Sequence, residues 1–215
     1  MAQVDQATIL DANGNPIDVA TLTALIKLIG DTTGNPPANT VLDRLQTIGD
    51  ALAGSLSVNQ VSVAHDVTAT FTRQANATPY NAGAVVGAAA AALTFTAAGK
   101  AGGAAVMINS VSLEIDNSTS PATAWRLHLY SVTPPSAPAD AAGFDLVSGD
   151  RASYLDYIDI PAAVDLGSTC FVSVNNIGKQ LLLASGNCYG ILQAISGFTP
   201  GSGDVYKIKL HTIEV

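Results

Sequence analysis

Three histidines are the residues of this sequence with the clearest capacity for metal or acid-base chemistry. His65, His128 and His211 lie far apart, and none has a second ligand at the short spacing that zinc sites use. A zinc site made by all three is an open alternative, because a fold can bring distant residues together. Histidines that stand alone in strands are more often packing or surface residues, so we predict no metal and no cofactor.

A run of aspartates is the second candidate, since a glycosidase needs two carboxylates at a fixed separation. Asp156 and Asp159 are three residues apart in a predicted strand and therefore point to opposite faces. We interpret the rest as solvated loop carboxylates and predict no enzymatic activity. A calcium site stays open, although the EF-hand spacing is missing. The run consists of Asp140, Asp145, Asp150, Asp156, Asp159 and Asp165.

Nucleophiles and phosphate loops lack their usual sequence partners. The order of glycines and lysine in Gly99-Lys100-Ala101-Gly102-Gly103 fits neither the P-loop nor the dinucleotide-binding motif. Neither Cys170 nor Cys188 has a histidine nearby, so we predict no catalytic residue. The two cysteines fall in predicted neighbouring strands, where a disulfide is geometrically conceivable. Nothing in the sequence indicates an oxidising compartment, and we predict two buried thiols.

The composition excludes two classes of partner. The 215 residues are 48% hydrophobic and only 12% charged, against about a quarter charged in ordinary soluble domains. A net charge of -8 without a basic cluster predicts no binding of nucleic acid, whose phosphates need lysine and arginine. The most apolar run, residues 82–98, is shorter than the roughly 20 residues of a membrane helix, so we predict no membrane partner. A surface this poor in charge suits contact with other copies or other proteins.

The first part of the chain has helical periodicity and no aromatic side chain. The spacing predicts a helix from the N-cap Asp18 to Gly30 and a second helix from Asn39 or Thr40 to Gly54. We expect an extended segment before Asp18. Helices of three turns are marginal in water. Their apolar stripes must therefore pack on each other, on other copies, on a partner, or on the chain's own β-domain. The predicted contact residues are Leu22, Ile26, Ile29, Val41, Leu45, Ile48 and Leu52.

Beyond residue 57 the apolar residues recur with a period of two, which is typical of strands. Val106 and Val111 are out of phase within one run, which predicts a β-bulge near Asn109-Ser110. We predict a mainly β fold: an antiparallel sandwich of jelly-roll or Greek-key type over 58–215, preceded by an arm, residues 1–57, with two short helices. The predicted strands cover about 58–71, 92–97, 105–116, 124–132, 154–160, 168–175, 180–184, 187–196 and 204–214.

Aromatic residues of the β-region raise the possibility of sugar binding, because an aromatic ring offers an apolar face and tyrosine adds a polar tip. With only twelve aromatic residues in the chain, we expect most of them to lie in the core. The candidates for a sugar-stacking surface are Trp125, Tyr130, Tyr154, Tyr157 and Tyr189.

Several stretches of the chain resemble a family of tailed-bacteriophage virion proteins. The helical part carries DANGNP at 11–16 and NTVLDRLQTIGDAL at 39–52, and the β-domain begins with FTRQANATPYNAGAVVG at 71–87. WRLHLY at 125–130, followed by a proline-rich loop and ADAAGF at 139–144, is similar to the family in pattern.

The resemblance implies a non-enzymatic virion component, and most directly a capsid decoration or cement protein bound to the outside of the shell. Its implied partners are copies of itself, as a homotrimer, and the major capsid protein. Its implied location is the virion, assembled in the host cytoplasm. The alternative function is a tail or fibre-associated receptor-binding protein whose β-domain binds a host glycan.

Overall fold

The computed structural model describes residues 13, 14, 20, 24, 40–55 and 62–215, with the backbone alone for 51–55. Its contacts divide the chain into two units, Met1–Val61 and Ser62–Val215. The first predicted helix and the extended segment before it lie outside the described residues, except for single positions.

One helix of the first unit is described, α1, Val41–Ser55. Thr40 is its N-cap: the Thr40 hydroxyl accepts the backbone N–H of Asp43 at 3.1 Å, and the Thr40 carbonyl accepts that of Arg44 at 3.1 Å. Asp43 also places a negative charge in the first turn, where the helix dipole favours one. The helix continues to Ser55, one residue beyond the predicted stop at Gly54.

The second unit is built from ten strands in two antiparallel five-stranded sheets. The first sheet has the order β1-β10-β4-β8-β7, and the second has the order β2-β9-β5-β6 with β3 also paired to β9. The pairing is nested, since β1 pairs with β10, β3 with β9, β4 with β8 and β5 with β6. The strands are β1 Ala64–Thr72, β2 Val85–Val86, β3 Leu93–Phe95, β4 Ala105–Asp116, β5 Trp125–Tyr130, β6 Tyr154–Ile160, β7 Val164–Asp165, β8 Cys170–Leu182, β9 Cys188–Ala194 and β10 Val205–Glu214.

Buried side chains from both sheets form one hydrophobic core, so the sheets pack face to face as a sandwich. Trp125 of β5 belongs to this core and is fully buried. Its ring meets Phe198 edge-on at 5.2 Å and Tyr206 of β10 at 5.8 Å. Neither Trp125 Nε1 nor the Tyr206 hydroxyl has a hydrogen-bond partner among the described residues. Their desolvation costs free energy that the packing of the rings must exceed.

Most predicted strands are confirmed, and so is the β-bulge. The register of β4 against β8 shifts between Ile108 and Ser110, which leaves Asn109 unpaired and keeps both halves of β4 in phase with the core. The two runs predicted at 168–175 and 180–184 are one strand, β8. Strands β2 and β7 were not expected, because two residues are too few to show a period.

A second, smaller core lies on the outer face of the second sheet, beneath the loop of residues 131–153. Phe144 and Leu146 of this loop pack against Tyr130 and Ile191. Val85 anchors the loop through its backbone, because its N–H donates to Ala142 O at 2.8 Å and its carbonyl accepts from Ala141 N–H at 2.9 Å. The proline-rich loop is therefore a packed layer of the domain.

Two adjacent glycines in the turn before β4 have the same backbone conformation, but alanine should destabilise the protein to a different extent at each. Gly102 and Gly103 have φ of +91° and +90°, but a Cβ on Gly102 meets no atom within 4 Å, whereas one on Gly103 would lie 2.6 Å from Leu183 O. Gly102→Ala should lower the free energy of unfolding by about 1–2 kcal/mol through backbone strain alone. Gly103→Ala should lower it clearly more, because a backbone carbonyl must move as well. Urea denaturation of both variants checks this, and equal losses would contradict it.

Candidate functional site

Of the contact surface predicted on the two helices, the structure describes the part on α1. Val41, Leu45 and Ile48 are 49%, 58% and 59% exposed. Their spacing of four and three places them on one face of the helix, and we call these three residues the helix stripe. The side chains of Leu52 and of the contact residues predicted on the first helix, Leu22, Ile26 and Ile29, lie outside the described residues.

The three histidines do not converge on one site. His65 and His211 lie in the paired strands β1 and β10 but on opposite faces of the first sheet, and His128 lies in the second sheet. His65 Nε2 lies 2.9 Å from Glu214 Oε1, and His211 Nδ1 contacts Asp66 Oδ1. Within the described part of the chain, no three histidine, cysteine, aspartate or glutamate side chains are grouped closely enough to hold a metal ion.

His128 is buried on the outer face of the second sheet, beneath the loop of 131–153. Gln193 donates through Nε2 to Gly83 O at 3.1 Å, which turns its Oε1 towards His128 Nε2, also at 3.1 Å. His128 Nε2 must therefore carry the proton, and Nδ1 accepts from the Tyr154 hydroxyl at 3.1 Å. The imidazole stacks on Phe144 with ring centroids 3.6 Å apart. This neutral tautomer fastens the loop to the sheet.

The aspartates have separate structural roles and do not form a carboxylate pair. Asp156 forms an ion pair with Lys179, and Asp159 forms one with Arg126 at 2.7 Å. The interpretation of the loop members as solvated is wrong for Asp150, which is only 2% exposed and accepts the backbone N–H of Ser136 at 3.3 Å. The folding of the loop onto the sheet buries it, and composition does not reveal such burial.

Asp140 belongs to a buried polar network that sequence reasoning missed. Arg73 donates through Nε to the Tyr80 hydroxyl, which in turn donates to Asp140 Oδ1 at 2.6 Å. The same oxygen accepts the Gly87 N–H at 3.1 Å, and Arg73 Nη1 donates to Gly201 O at 3.0 Å. Burial and the bond to Asp140 raise the pKa of the Tyr80 hydroxyl. The network joins the end of β1 to four loops, those that hold Tyr80, Gly87, Asp140 and Gly201. Arg73 and Tyr80 are each 3% exposed, and Asp140 is half-buried.

The aromatic residues do not form the sugar-stacking surface that the sequence offered. Trp125 and Tyr130 are fully buried in the two cores, and Tyr154 and Tyr189 are partly buried against the smaller one. Tyr157 alone of the five is exposed, at 39%, with the Arg126 guanidinium 4.1 Å from its ring centre. Core packing, which the sequence analysis expected of most rings, accounts for this arrangement.

The two cysteines are free and buried, as predicted, but they do not lie in neighbouring strands. Cys170 is in β8 of the first sheet and Cys188 is in β9 of the second. Burial raises the pKa of the Cys188 thiol to about 12 and also raises that of Cys170. Thiols with raised pKa values are poor nucleophiles at neutral pH.

Comparison with known proteins identifies no family. No family model matches the chain, and no curated protein matches it. Among solved structures, a chain of turnip yellow mosaic virus matches with 9% identity over 71% of this chain and 81% of that chain, at a TM-score of 0.23. Similarity at this level assigns neither fold nor function. Within the described residues, no helix has the length and apolar character needed to cross a membrane.

The burial of His128 predicts a pH dependence of stability. Burial lowers the pKa of this imidazole from 6.5 to about 4 in the folded protein, so the unfolded chain takes up the proton first. The stability that depends on neutral His128 is fully present above pH 6.5. It should decrease, by up to about 3 kcal/mol, as the pH falls from 6.5 towards 4. His128→Gln should flatten this part of a plot of melting temperature against pH. His211→Gln, at an exposed pair, is the control and should keep the slope; an unchanged slope in His128→Gln would contradict the assignment.

The buried network predicts a cost for removing one hydroxyl. Tyr80→Phe removes one hydrogen bond from the buried Arg73 Nε and one from the half-buried Asp140. We expect a loss of about 1–3 kcal/mol in the free energy of unfolding. Tyr157→Phe removes the same atom from an exposed tyrosine and should change the value by less than about 0.5 kcal/mol. Equal effects in chemical denaturation would show that the network is not an anchor.

Proposed function

We propose that this chain is a non-enzymatic structural protein of a bacteriophage virion, specifically a decoration or cement protein that binds the outside of the capsid shell as a homotrimer. The observation that carries the proposal is the exposed helix stripe. Three large aliphatic side chains of one helix face are about half exposed or more in the single chain. Large exposed apolar surfaces mark sites of contact with other proteins.

In this proposal, the helix stripe of one copy packs against the helix stripes of neighbouring copies. Val41, Leu45 and Ile48 follow the alternating spacing of four and three that lets helices pack side by side in a bundle. An isolated helix of 15 residues is marginal in water. Full burial of each aliphatic side chain contributes about 1.5–3 kcal/mol, so association would stabilise the helix and the assembly together. We expect Leu22, Ile26, Ile29 and Leu52 to extend this interface.

The β-domain supports the finer fold assignment within the same proposal. The nested pairing, with β1-β10-β4-β8 in one sheet and β3-β9-β5-β6 in the other, is the strand order of a jelly roll. Viral capsid proteins and lectins both use this fold. Fold alone does not determine function, so the choice of a capsid role depends on the helix stripe and on the resemblance of residues 11–16, 39–52 and 71–87.

The second proposed partner of the protein is the major capsid protein of the particle, which is assembled in the host cytoplasm. Only 12% of the residues are charged, so few charges must be stripped of water when the protein docks on a shell. Association as a trimer would present several copies of one docking surface at once. Modest contacts joined in this way hold a subunit much longer than one contact alone.

Polar substitution of the helix stripe tests the proposal. Leu45→Gln with Ile48→Gln should reduce the mass of the assembly in sedimentation threefold, because the stripe can no longer exclude water. The melting temperature of the β-domain should stay unchanged, since these residues belong to the other unit.

Thr47→Gln with Asp50→Gln is the matched control, because both residues are exposed and lie on the opposite side of the same helix. It introduces the same side chains and should leave the mass unchanged. An unaltered mass in the stripe variant would refute the role of the stripe.

A further inference from the structure

Among the described strands, none is hydrogen-bonded to the outer edge of β1. β1 pairs with β10 over all nine of its residues without a register shift, and it is the last strand of the first sheet. No other described strand pairs with it, so one side of a strand about 30 Å long presents its backbone groups. Such an edge is a template on which another strand can add.

The strands at the other ends of the two sheets have features that discourage the addition of another strand. β7 has two residues, and β2 and β3 have two and three. β6 is longer, but it carries Asp156 and Asp159, has a register irregularity against β5, and is followed by Pro161. β1 contains no proline, glycine or lysine, and its single acidic residue, Asp66, lies near one end. Of the described sheet ends, only that of β1 is long, regular and almost uncharged.

The hydrogen bonds to β10 identify the backbone groups that face this edge. Glu214 N–H donates to Val63 O at 3.0 Å, and Arg73 N–H donates to Asp204 O at 3.0 Å. In an antiparallel pair, alternate residues bond to the neighbouring strand, so the odd-numbered residues of β1 bond to β10. The even-numbered residues direct their N–H and C=O groups away from β10. These residues are Ala64, Asp66, Thr68, Thr70 and Thr72.

We infer that the β1 edge pairs antiparallel with the β1 edge of a second copy about a two-fold axis at Thr68. This axis places even-numbered residues opposite one another, as hydrogen bonding requires. It aligns Thr68 with Thr68, Asp66 with Thr70 and Ala64 with Thr72, and it uses the whole strand. Threonine pairs are favourable cross-strand neighbours, and an aspartate opposite a threonine avoids like charges.

Other registers of the same pairing are poorer. An axis at Asp66 would set the two carboxylates directly opposite each other, which is destabilising. An axis at Thr70 would leave the first residues of β1 unpaired. Axes at Val67 and Ala69 also set even-numbered residues opposite one another, but each leaves one end of β1 unpaired. The axis at Thr68 is therefore the one that pairs all nine residues of β1 with themselves, as a two-fold interface requires.

A part of the same chain, the segment 88–94 with most of β3, lies beside β1. A groove of about 350 Å³ lies between Thr68–Phe71 of β1 and the segment 88–94. The wall opposite β1 includes Ala88, Ala90 and Ala92. Side chains that end at Cβ let another backbone come close.

Proline at the two-fold position tests the inference in the full chain. The Thr68 N–H faces away from β10, so Thr68→Pro removes an edge donor and no bond to β10. The test uses the background Leu45→Gln with Ile48→Gln, in which the helix stripe cannot associate. We expect this background to sediment as a dimer, its Thr68→Pro variant as a monomer, and its Thr68→Val control as a dimer. The wild type, in which both contacts form, should be a hexamer of two trimers, and Thr68→Pro with an intact stripe should be a trimer. A failure of the edge and a failure of the stripe therefore give different masses.

Amide hydrogen exchange of the wild-type chain keeps the inference falsifiable if Thr68→Pro does not fold. The N–H groups of Asp66, Thr68 and Thr70 should exchange as slowly as those of Val67 and Ala69, which bond to β10. Fast exchange at the even-numbered positions alone would overturn the inference. A monomeric stripe variant whose even-numbered N–H groups exchange slowly would also overturn the inference, because another segment of the same chain would then cover the edge.

Discussion

The burial of one face of each sheet against the other is the constraint on which the β-domain depends. Trp125 packs across the interface onto Tyr206, and every strand that reaches this layer must present its apolar residues in phase with it. A slip of one residue would turn the whole apolar set of a strand towards solvent. The bulge at Asn109 follows from this constraint, since it restores the phase of β4 where the sequence breaks alternation. The same phase gives β1 its buried odd-numbered residues and its exposed even-numbered ones.

The sequence predicted what depends on local periodicity. Alternation identified the long strands, phase identified the bulge in β4, and a hydroxyl side chain ahead of an apolar stripe identified Thr40 as one of two candidate caps for α1. The sequence could not predict features that arise when distant segments meet. The burial of Asp150, the bonding of Asp140 to Tyr80 and the placement of Cys170 and Cys188 in opposite sheets all depend on how the loop of 131–153 and the strands are arranged in space. No local pattern encodes that arrangement.

Two surfaces have no partner among the residues that the structure describes, and they differ in physical character. The helix stripe is apolar and gains by excluding water, whereas the β1 edge is polar backbone and gains by exchanging hydrogen bonds. The core, the His128 contact with Phe144 and the Arg73 network are complete within the β-domain. In the proposed role, a well-packed domain would be held in place by the helix stripe and the β1 edge, which other copies would cover. A low charge content would then serve close contact between subunits.

The copy number of the protein in intact particles tests the central claim most directly. Quantitative mass spectrometry of purified phage, with the major capsid protein as internal standard, gives this ratio. The proposed decoration role predicts many copies, in a simple ratio to the subunits of the shell. Absence from the particles would contradict a virion role altogether. A handful of copies would contradict the decoration role and would favour a tail or fibre position, where binding to a host glycan becomes the function to test.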